Sequence, residues 1–299
     1  MRLTGVFPPL TTPFDAAGRI DEAGLKSNVA RYARTALTGV VALGSNGEAP
    51  FLDETESVRV VEIIRGELPR TKILIAGAGR ESTRATIDAA RRAASAGADA
   101  VLVRPPSYYK SRMTTDVLVA HYSNVADESP VPVVLYNVPA FTGLDLPAAA
   151  VERLAHHPNI VGVKESAGDV DRIAEDVSKV AQDFAVLCGS MPVFYSSLKA
   201  GAAGGVVALA CALPDECVEL FELFASGRQD EAAALQQSLT PLAKLVTSVH
   251  GVPGLKAALD LAGFTGGLPR PPLGPASREA VGEIAAAFAA AAPARSRAS

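Results

Sequence analysis

Short runs of β-branched and apolar residues recur along the chain at Leu3–Phe7, Gly39–Leu43, Lys72–Ala76, Ala98–Val103, Pro132–Tyr136, Ile160–Lys164, Ala185–Cys188 and Gly205–Leu209. Such runs read as strands. The stretches between them carry a helical pattern, for example Asp53–Glu67, Ser82–Ala96, Thr114–Ser129, Pro147–His156 and Asp169–Ala181, several opened by a Ser, Thr or Asp that can cap a helix. In SAGADAVLV (Ser95–Val103) and KAGAAGGVVAL (Lys199–Leu209) a helix end, a glycine stop and a strand follow one another, which is the joint of a helix-to-strand unit. Eight strands alternating with helices predict an α/β fold of the (β/α)8 TIM-barrel type in preference to an open sheet.

Beyond Pro214 the strand pattern stops. Pro214–Ala225, Asp230–Val249 and Gly254–Ala262 read as helices ahead of the proline-rich GGLPRPPLGP. The expected organisation is a barrel over 1–224 carrying the active site, a helical C-terminal region over 225–292, and a disordered tail over 293–299, where apolar anchors are lacking. A length of 299 residues fits one barrel of about 250 residues plus an appendage.

Composition narrows the class of partner. Hydrophobic residues make up 48% and charged residues 20%, with a formal net charge of -4, which indicates neither disorder nor a nucleic-acid partner. The longest apolar runs, Val206–Leu213 and Ile284–Ala292, fall short of the roughly 18 residues that span a bilayer, and the opening MRLTGVFPPLTTPF lacks a continuous apolar core, so a cytoplasmic enzyme without a membrane segment is expected. Cys188, Cys211 and Cys217 lack the paired spacing of a zinc site, and none of the four histidines forms an i, i+4 pair, so no metal is expected. The partner is expected to be a small molecule.

The chemistry lies at strand ends. Lys164 closes NIVGVKES and Tyr136 closes PVVLYNVPA, which predicts a lysine and a phenol on neighbouring strands aimed into one pocket. In free lysine only about one amine in two thousand is neutral at pH 7, and burial is what disfavours the charged form. A buried amine can form a Schiff base with a carbonyl substrate, and a phenol within hydrogen-bond reach can relay its protons. After the second strand, GSNGE (Gly44–Glu48) offers backbone donors, the Ser45 hydroxyl and the Asn46 amide, a cradle suited to a carboxylate. It is not a Walker loop, since no lysine follows its glycines, and GAGRES (Gly77–Ser82) lacks the third glycine of a dinucleotide fingerprint. Tyr108 and Tyr109 form an unusual loop pair in PPSYYKSRM, whose rings call for cover by another surface.

Taken together, GSNGE, the tyrosine pair, LYNVPAFTG and GVKES resemble, in order and spacing from Leu3 to about residue 260, the dihydrodipicolinate synthase and N-acetylneuraminate lyase family of class I aldolases. The resemblance implies a homotetramer built as a dimer of dimers, and a pyruvate or other 2-oxo acid held as a covalent imine on Lys164 with no further cofactor. It implies Tyr136 as proton-transferring residue, Ser45 as the next hydroxyl, and Tyr108 as the end of a relay that crosses a subunit interface. Gly44, Ser45, Asn46 and Gly47 would hold the substrate carboxylate, while Ser166, Gly189 and Val207 would line the pocket.

Two departures bear on substrate. Where dihydrodipicolinate synthases carry an arginine two positions after the proline of the YNVP motif, this chain has Phe141, which cannot bind a carboxylate in bidentate fashion. Arg104, Lys110 and Arg112 are the cations that could replace it. Where sialate lyases place acidic residues after the seventh strand, this chain reads GSMPVF (Gly189–Phe194). GSNGE, YYKSRM, PVVLYNVPAFTGLDLP, HPNIVGVKES followed by GDV, and GVPGLK bring it closest to the 4-hydroxy-2-oxoglutarate aldolase branch. The expected reaction is cleavage of 4-hydroxy-2-oxoglutarate to pyruvate and glyoxylate, with 4-hydroxy-tetrahydrodipicolinate synthesis, sugar-acid chemistry and non-catalytic 2-oxo acid binding as the alternatives.

Overall fold

The structure, a computed structural model, describes residue 1 and residues 3–291. The expected tail over 293–299 lies outside them. Eight parallel strands form the centre: β1 (Gly5–Phe7), β2 (Gly39–Ala42), β3 (Ile73–Gly77), β4 (Ala100–Val103), β5 (Val133–Asn137), β6 (Ile160–Glu165), β7 (Ala185–Cys188) and β8 (Gly204–Val206). From β2 to β8 each strand pairs with the next in sequence, and β8 returns to β1. Closure is completed just past β1, where Val41 N–H donates to Pro8 O at 2.9 Å and Leu10 N–H to Val41 O at 2.8 Å. The sheet is a barrel, as the alternation of elements predicts.

Strand alternation sorts the apolar residues into two layers. Phe7, Val41, Ile75, Leu102, Val134 and Leu187 pack together inside the barrel, with Tyr136 among them. Val6, Val40, Leu74, Val101, Val133, Val163 and Val186 point outward and pack with Leu25, Val60, Ile64 and Tyr122 of the surrounding helices. The expected caps are present: Asp53 and Glu56 form a reciprocal capping box ahead of helix Glu54–Glu67, and Ser82 and Thr114 accept first-turn N–H groups of the helices that follow them.

Three local expectations shift. The last strand ends at Val206, and Ala208–Cys211 is a buried 3-10 turn in place of the end of a strand. Those residues are apolar because helices Pro214–Ala225 and Gly251–Leu261 cover the rim there, so hydrophobicity marks burial and not strand geometry. Helix Glu22–Tyr32 lies outside the expected elements because Gly24, Ser27 and Asn28 weaken its propensity; burial of Leu25, Val29 and Tyr32 holds it instead. A final helix, Arg278–Ala291, follows the proline-rich segment and buries Ala280 and Ile284.

Candidate active site

Register decides which side chains meet. Across β5 and β6, Tyr136 stands opposite Lys164, and across β6 and β7 Lys164 stands opposite Leu187, so all three share the inner face. Lys164 is buried, at 4% exposure, and its Nζ lies 4.2 Å from the centroid of the Tyr136 ring. No carboxylate pairs with it among the described residues. The amine is therefore kept in a largely apolar barrel mouth with the face of an aromatic ring as its neighbour. Beyond the ring, Tyr136 Oη lies 3.3 Å from Ser45 Oγ, which joins the phenol of β5 to the loop after β2.

That loop is a single 3-10 turn, Ser45–Gly47, set between two residues in the left-handed region, Leu43 at φ 55° and Glu48 at φ 56°. Non-glycine residues adopt this conformation at an energetic cost, so something must hold them there. At Leu43 the reason is packing: any side chain on Gly77 of β3 would strike Leu43 O, so the bare glycine lets the two strand ends close on each other. At Glu48 the reason is charge. Glu48 is buried, its Oε1 lies 2.6 Å from Lys256 Nζ, and its Oε2 accepts the Arg270 backbone N–H at 2.8 Å. Lys256 Nζ also donates to Thr12 O and Leu268 O, at 2.8 and 2.7 Å, and Thr12 Oγ1 donates to Gly47 O at 2.8 Å. Burial lowers the Lys256 pKa, against the pull of Glu48. A lysine of the C-terminal helix Gly251–Leu261 thereby fastens the catalytic-face loop. The first-turn amides of Ser45 and Asn46 need no partner within the turn and are left as donors.

A second anchor stands behind the amine, on the outer face of the same strands. Asn137 follows Tyr136 and Glu165 follows Lys164, and with alternating side chains both point away from the lumen. Asn137 Nδ2 donates to Glu165 Oε2 at 2.8 Å and to Asp145 Oδ1 at 2.7 Å, while its Oδ1 accepts Leu146 N–H at 2.9 Å. Arg172 joins Asp145 at 3.0 Å and Asp176 at 3.2 Å. The buried cluster ties β5 to β6 immediately behind Lys164 and Tyr136.

Its pH response has a definite sign. Burial, only partly offset by Arg172, pushes the Asp176 carboxyl from 3.8 up to about 6. Between those values the folded protein holds the proton that the unfolded chain has lost. The Asp176 contribution to stability therefore falls as pH rises through this window, by about 3 kcal/mol in all. Asp176→Asn should gain stability relative to the parent as pH is raised from 4 to 7. Urea unfolding of both proteins across that range measures it, and a pH-independent difference would contradict it.

The remaining expected residues fall around the same mouth. Ser166 directly follows β6 and its Oγ is buried without a partner among the described residues; a side chain on Gly189, directly after β7, would collide with that hydroxyl. Val207 is buried directly after β8. A cavity of about 320 Å³ opens at the carboxyl ends of the strands, lined by Gly44, Ser45 and Tyr136 and by Arg80, Glu81 and Arg104. Tyr108 and Tyr109 are 79% and 70% exposed and pack edge to face with ring centroids 5.0 Å apart. In the single chain they lie open to solvent. The supporting residues Glu48, Lys256, Asn137 and Glu165 were not foreseen as a framework; their sequence signal was the recurrence of charge or amide beside each motif, in GSNGE, GVPGLK, LYNVP and GVKES.

Among the described residues no cluster of His, Cys, Asp and Glu is arranged to hold a metal ion, and no helix is long and apolar enough to cross a membrane.

Comparison with known proteins places this architecture. The pattern of the Dihydrodipicolinate synthetase family matches residues 2–291. The chain is 37% identical over 275 residues to a 4-hydroxy-tetrahydrodipicolinate synthase of Methanopyrus kandleri, covering 91% of each chain. It is 36% identical over 282 residues to a probable mitochondrial 4-hydroxy-2-oxoglutarate aldolase of Emericella nidulans, covering 92% of this chain and 91% of the other. Among solved structures it superimposes with a TM-score of 0.89 and 28% identity on YagE, a prophage protein of the dihydrodipicolinic acid synthase family from E. coli K12 in complex with pyruvate, covering 95% of this chain and 97% of that one.

Proposed function

Since the chain belongs to the Dihydrodipicolinate synthetase family and is thus a class I aldolase or lyase acting on a 2-oxo acid, we propose that it cleaves 4-hydroxy-2-oxoglutarate to pyruvate and glyoxylate through an imine on Lys164. The observation that carries the chemistry is the buried Lys164 amine against the Tyr136 ring, with Tyr136 hydroxyl in line with Ser45. In this reading the neutral amine adds to the 2-oxo carbon and water leaves. The protonated imine then accepts the electron pair of the C3–C4 bond as that bond breaks. Tyr136 removes the C4 hydroxyl proton and returns a proton to C3 of the enamine, and hydrolysis releases pyruvate. Ser45 and Asn46 hold the carboxylate next to the imine, and Gly44 and Gly47 keep that loop tight. Ser166, Gly189 and Val207 wall the pocket. Tyr108, exposed in one chain, would complete the proton relay in a neighbouring subunit of a tetramer.

Phe141 supports cleavage over condensation. Where a synthase would have an arginine for its aldehyde substrate, this chain has an exposed phenyl ring. Buried Met191 and Phe194 after β7 likewise present no acid for sugar hydroxyls. The relatives favour a second reading more strongly than the first: most carry the name 4-hydroxy-tetrahydrodipicolinate synthase, which would condense pyruvate with aspartate semialdehyde. A side-by-side assay separates the two. Pyruvate release from 4-hydroxy-2-oxoglutarate is expected to exceed pyruvate consumption with aspartate semialdehyde by about tenfold or more in kcat/KM, a difference of about 1.4 kcal/mol in transition-state stabilisation. The opposite order would establish the synthase reading.

A further inference from the structure

With Phe141 unable to bind an anion, the proposed five-carbon substrate still carries a second carboxylate that needs a partner. Arg80 and Arg104 are the two arginines in the lining of the 320 Å³ cavity that also reaches Ser45 and Tyr136. Arg80 is spent. Its Nε and Nη2 hold Glu54, at 2.9 and 3.3 Å, and its Nη1 donates to Gly79 O at 3.2 Å. Arg104 is only half used: Nη1 donates to Glu81 Oε1 at 2.7 Å and to Pro105 O at 3.1 Å, whereas Nε and Nη2 have no partner among the described residues.

The Arg104 fork is also held in place. It follows the last residue of β4, and a Cβ on Gly79 would lie 2.7 Å from its Cγ, so the side chain rests directly on the β3 end. Glu81 binds it with one oxygen and spends the other on the backbone N–H groups of Ser107 and Tyr108, both at 2.9 Å. Glu81 therefore orients the guanidinium from one side and leaves its other edge open. The other loop cations, Lys110 and Arg112, are exposed and lie outside the cavity lining. A guanidinium edge with Nε and Nη2 both open matches a carboxylate in geometry and charge.

We propose that Arg104 binds the distal carboxylate of the substrate and so selects 2-oxo dicarboxylic acids over 2-oxo monocarboxylic acids. The assignment rests on the imine reading of Lys164 but not on which bond is cleaved. Its test therefore uses imine formation and not turnover. The full-length protein is titrated with 2-oxoglutarate or with pyruvate, reduced with borohydride, and the adduct is quantified by intact mass. Arg104→Gln is expected to raise the half-saturating concentration of 2-oxoglutarate about tenfold or more while leaving that of pyruvate within about twofold, and Arg104→Lys should fall between. Equal shifts for the two acids, no shift, or a parent protein that traps pyruvate but not 2-oxoglutarate would overturn the assignment. A parent that traps neither acid would overturn the imine reading and this assignment with it. Selective loss of 2-oxoglutarate in a protein that fails to cleave 4-hydroxy-2-oxoglutarate would leave Arg104 in its role and remove only the proposed reaction.

Discussion

Lys164→Met is expected to lower turnover by about a thousandfold or more and to abolish the borohydride-dependent pyruvyl adduct, while leaving the protein more resistant to unfolding. The first effect follows from the proposed chemistry, since no thioether can form an imine and the bound acid would lose its electron sink. The second follows from packing. Lys164 is buried at 4% exposure, with the Tyr136 ring as its neighbour and no ion-pair partner among the described residues, so a chargeable amine stands where an apolar side chain would pack as well. Methionine has a similar length and flexibility, and replacing a buried amine that has no carboxylate partner should contribute about 1 kcal/mol or more. That opposition of activity and stability is the mark of a functional group held at a structural cost. Thermal melts and intact masses of parent and variant test both halves. A variant that still gains a pyruvyl mass would place the nucleophile elsewhere, and one that unfolds more easily would show Lys164 to be part of the framework.

Lys256→Met should cost about 3–5 kcal/mol of stability, the usual penalty for breaking a buried ion pair. It leaves Glu48 buried without its ion-pair partner, facing only the electrostatic influence of Arg270, and the Lys256 donors to Thr12 O and Leu268 O disappear with it. Glu48 also maintains a left-handed backbone next to Ser45, so relaxation there should move the Ser45 hydroxyl away from Tyr136 and reduce activity in the fraction that remains folded. The double variant Glu48→Gln, Lys256→Met removes both charges at once. It is expected to recover more than half of the lost stability, because the penalty lies in the unpaired carboxylate and not in the absence of the pair. Denaturant unfolding of the four proteins of this cycle measures the coupling; additive losses would show that the two side chains act independently.

The barrel was legible in the order of the strands because short buried runs separated by capped helices leave few ways to bury both faces of each strand. Ala185–Cys188 and Pro214–Ala225 occur as read, and most other boundaries move by one to three residues. The meeting of Lys164 and Tyr136 was legible because each closes an apolar run in sequence, and parallel pairing in that register brings them side by side near the ends of β5 and β6. Helix Glu22–Tyr32 was not, since its formation depends on neighbours that a local window does not contain. The same holds for Arg104, whose free donors become meaningful only once Arg80 is seen to be occupied by Glu54 and Gly79.

Taken alone, the sequence determined the alternation that builds the barrel, the lysine, tyrosine and glycine-rich loop of the candidate site, and through them the class I aldolase family. These are local properties: periodicity, caps and residue type at a strand end. Only the tertiary structure decided what holds them. The Glu48–Lys256 pair joins residues more than two hundred positions apart, and the Asn137–Glu165 contact depends on the strand register that places both on the outer face. Such long-range pairs leave no periodic trace in the chain, because their energy comes from burial and from partners that folding alone brings within reach.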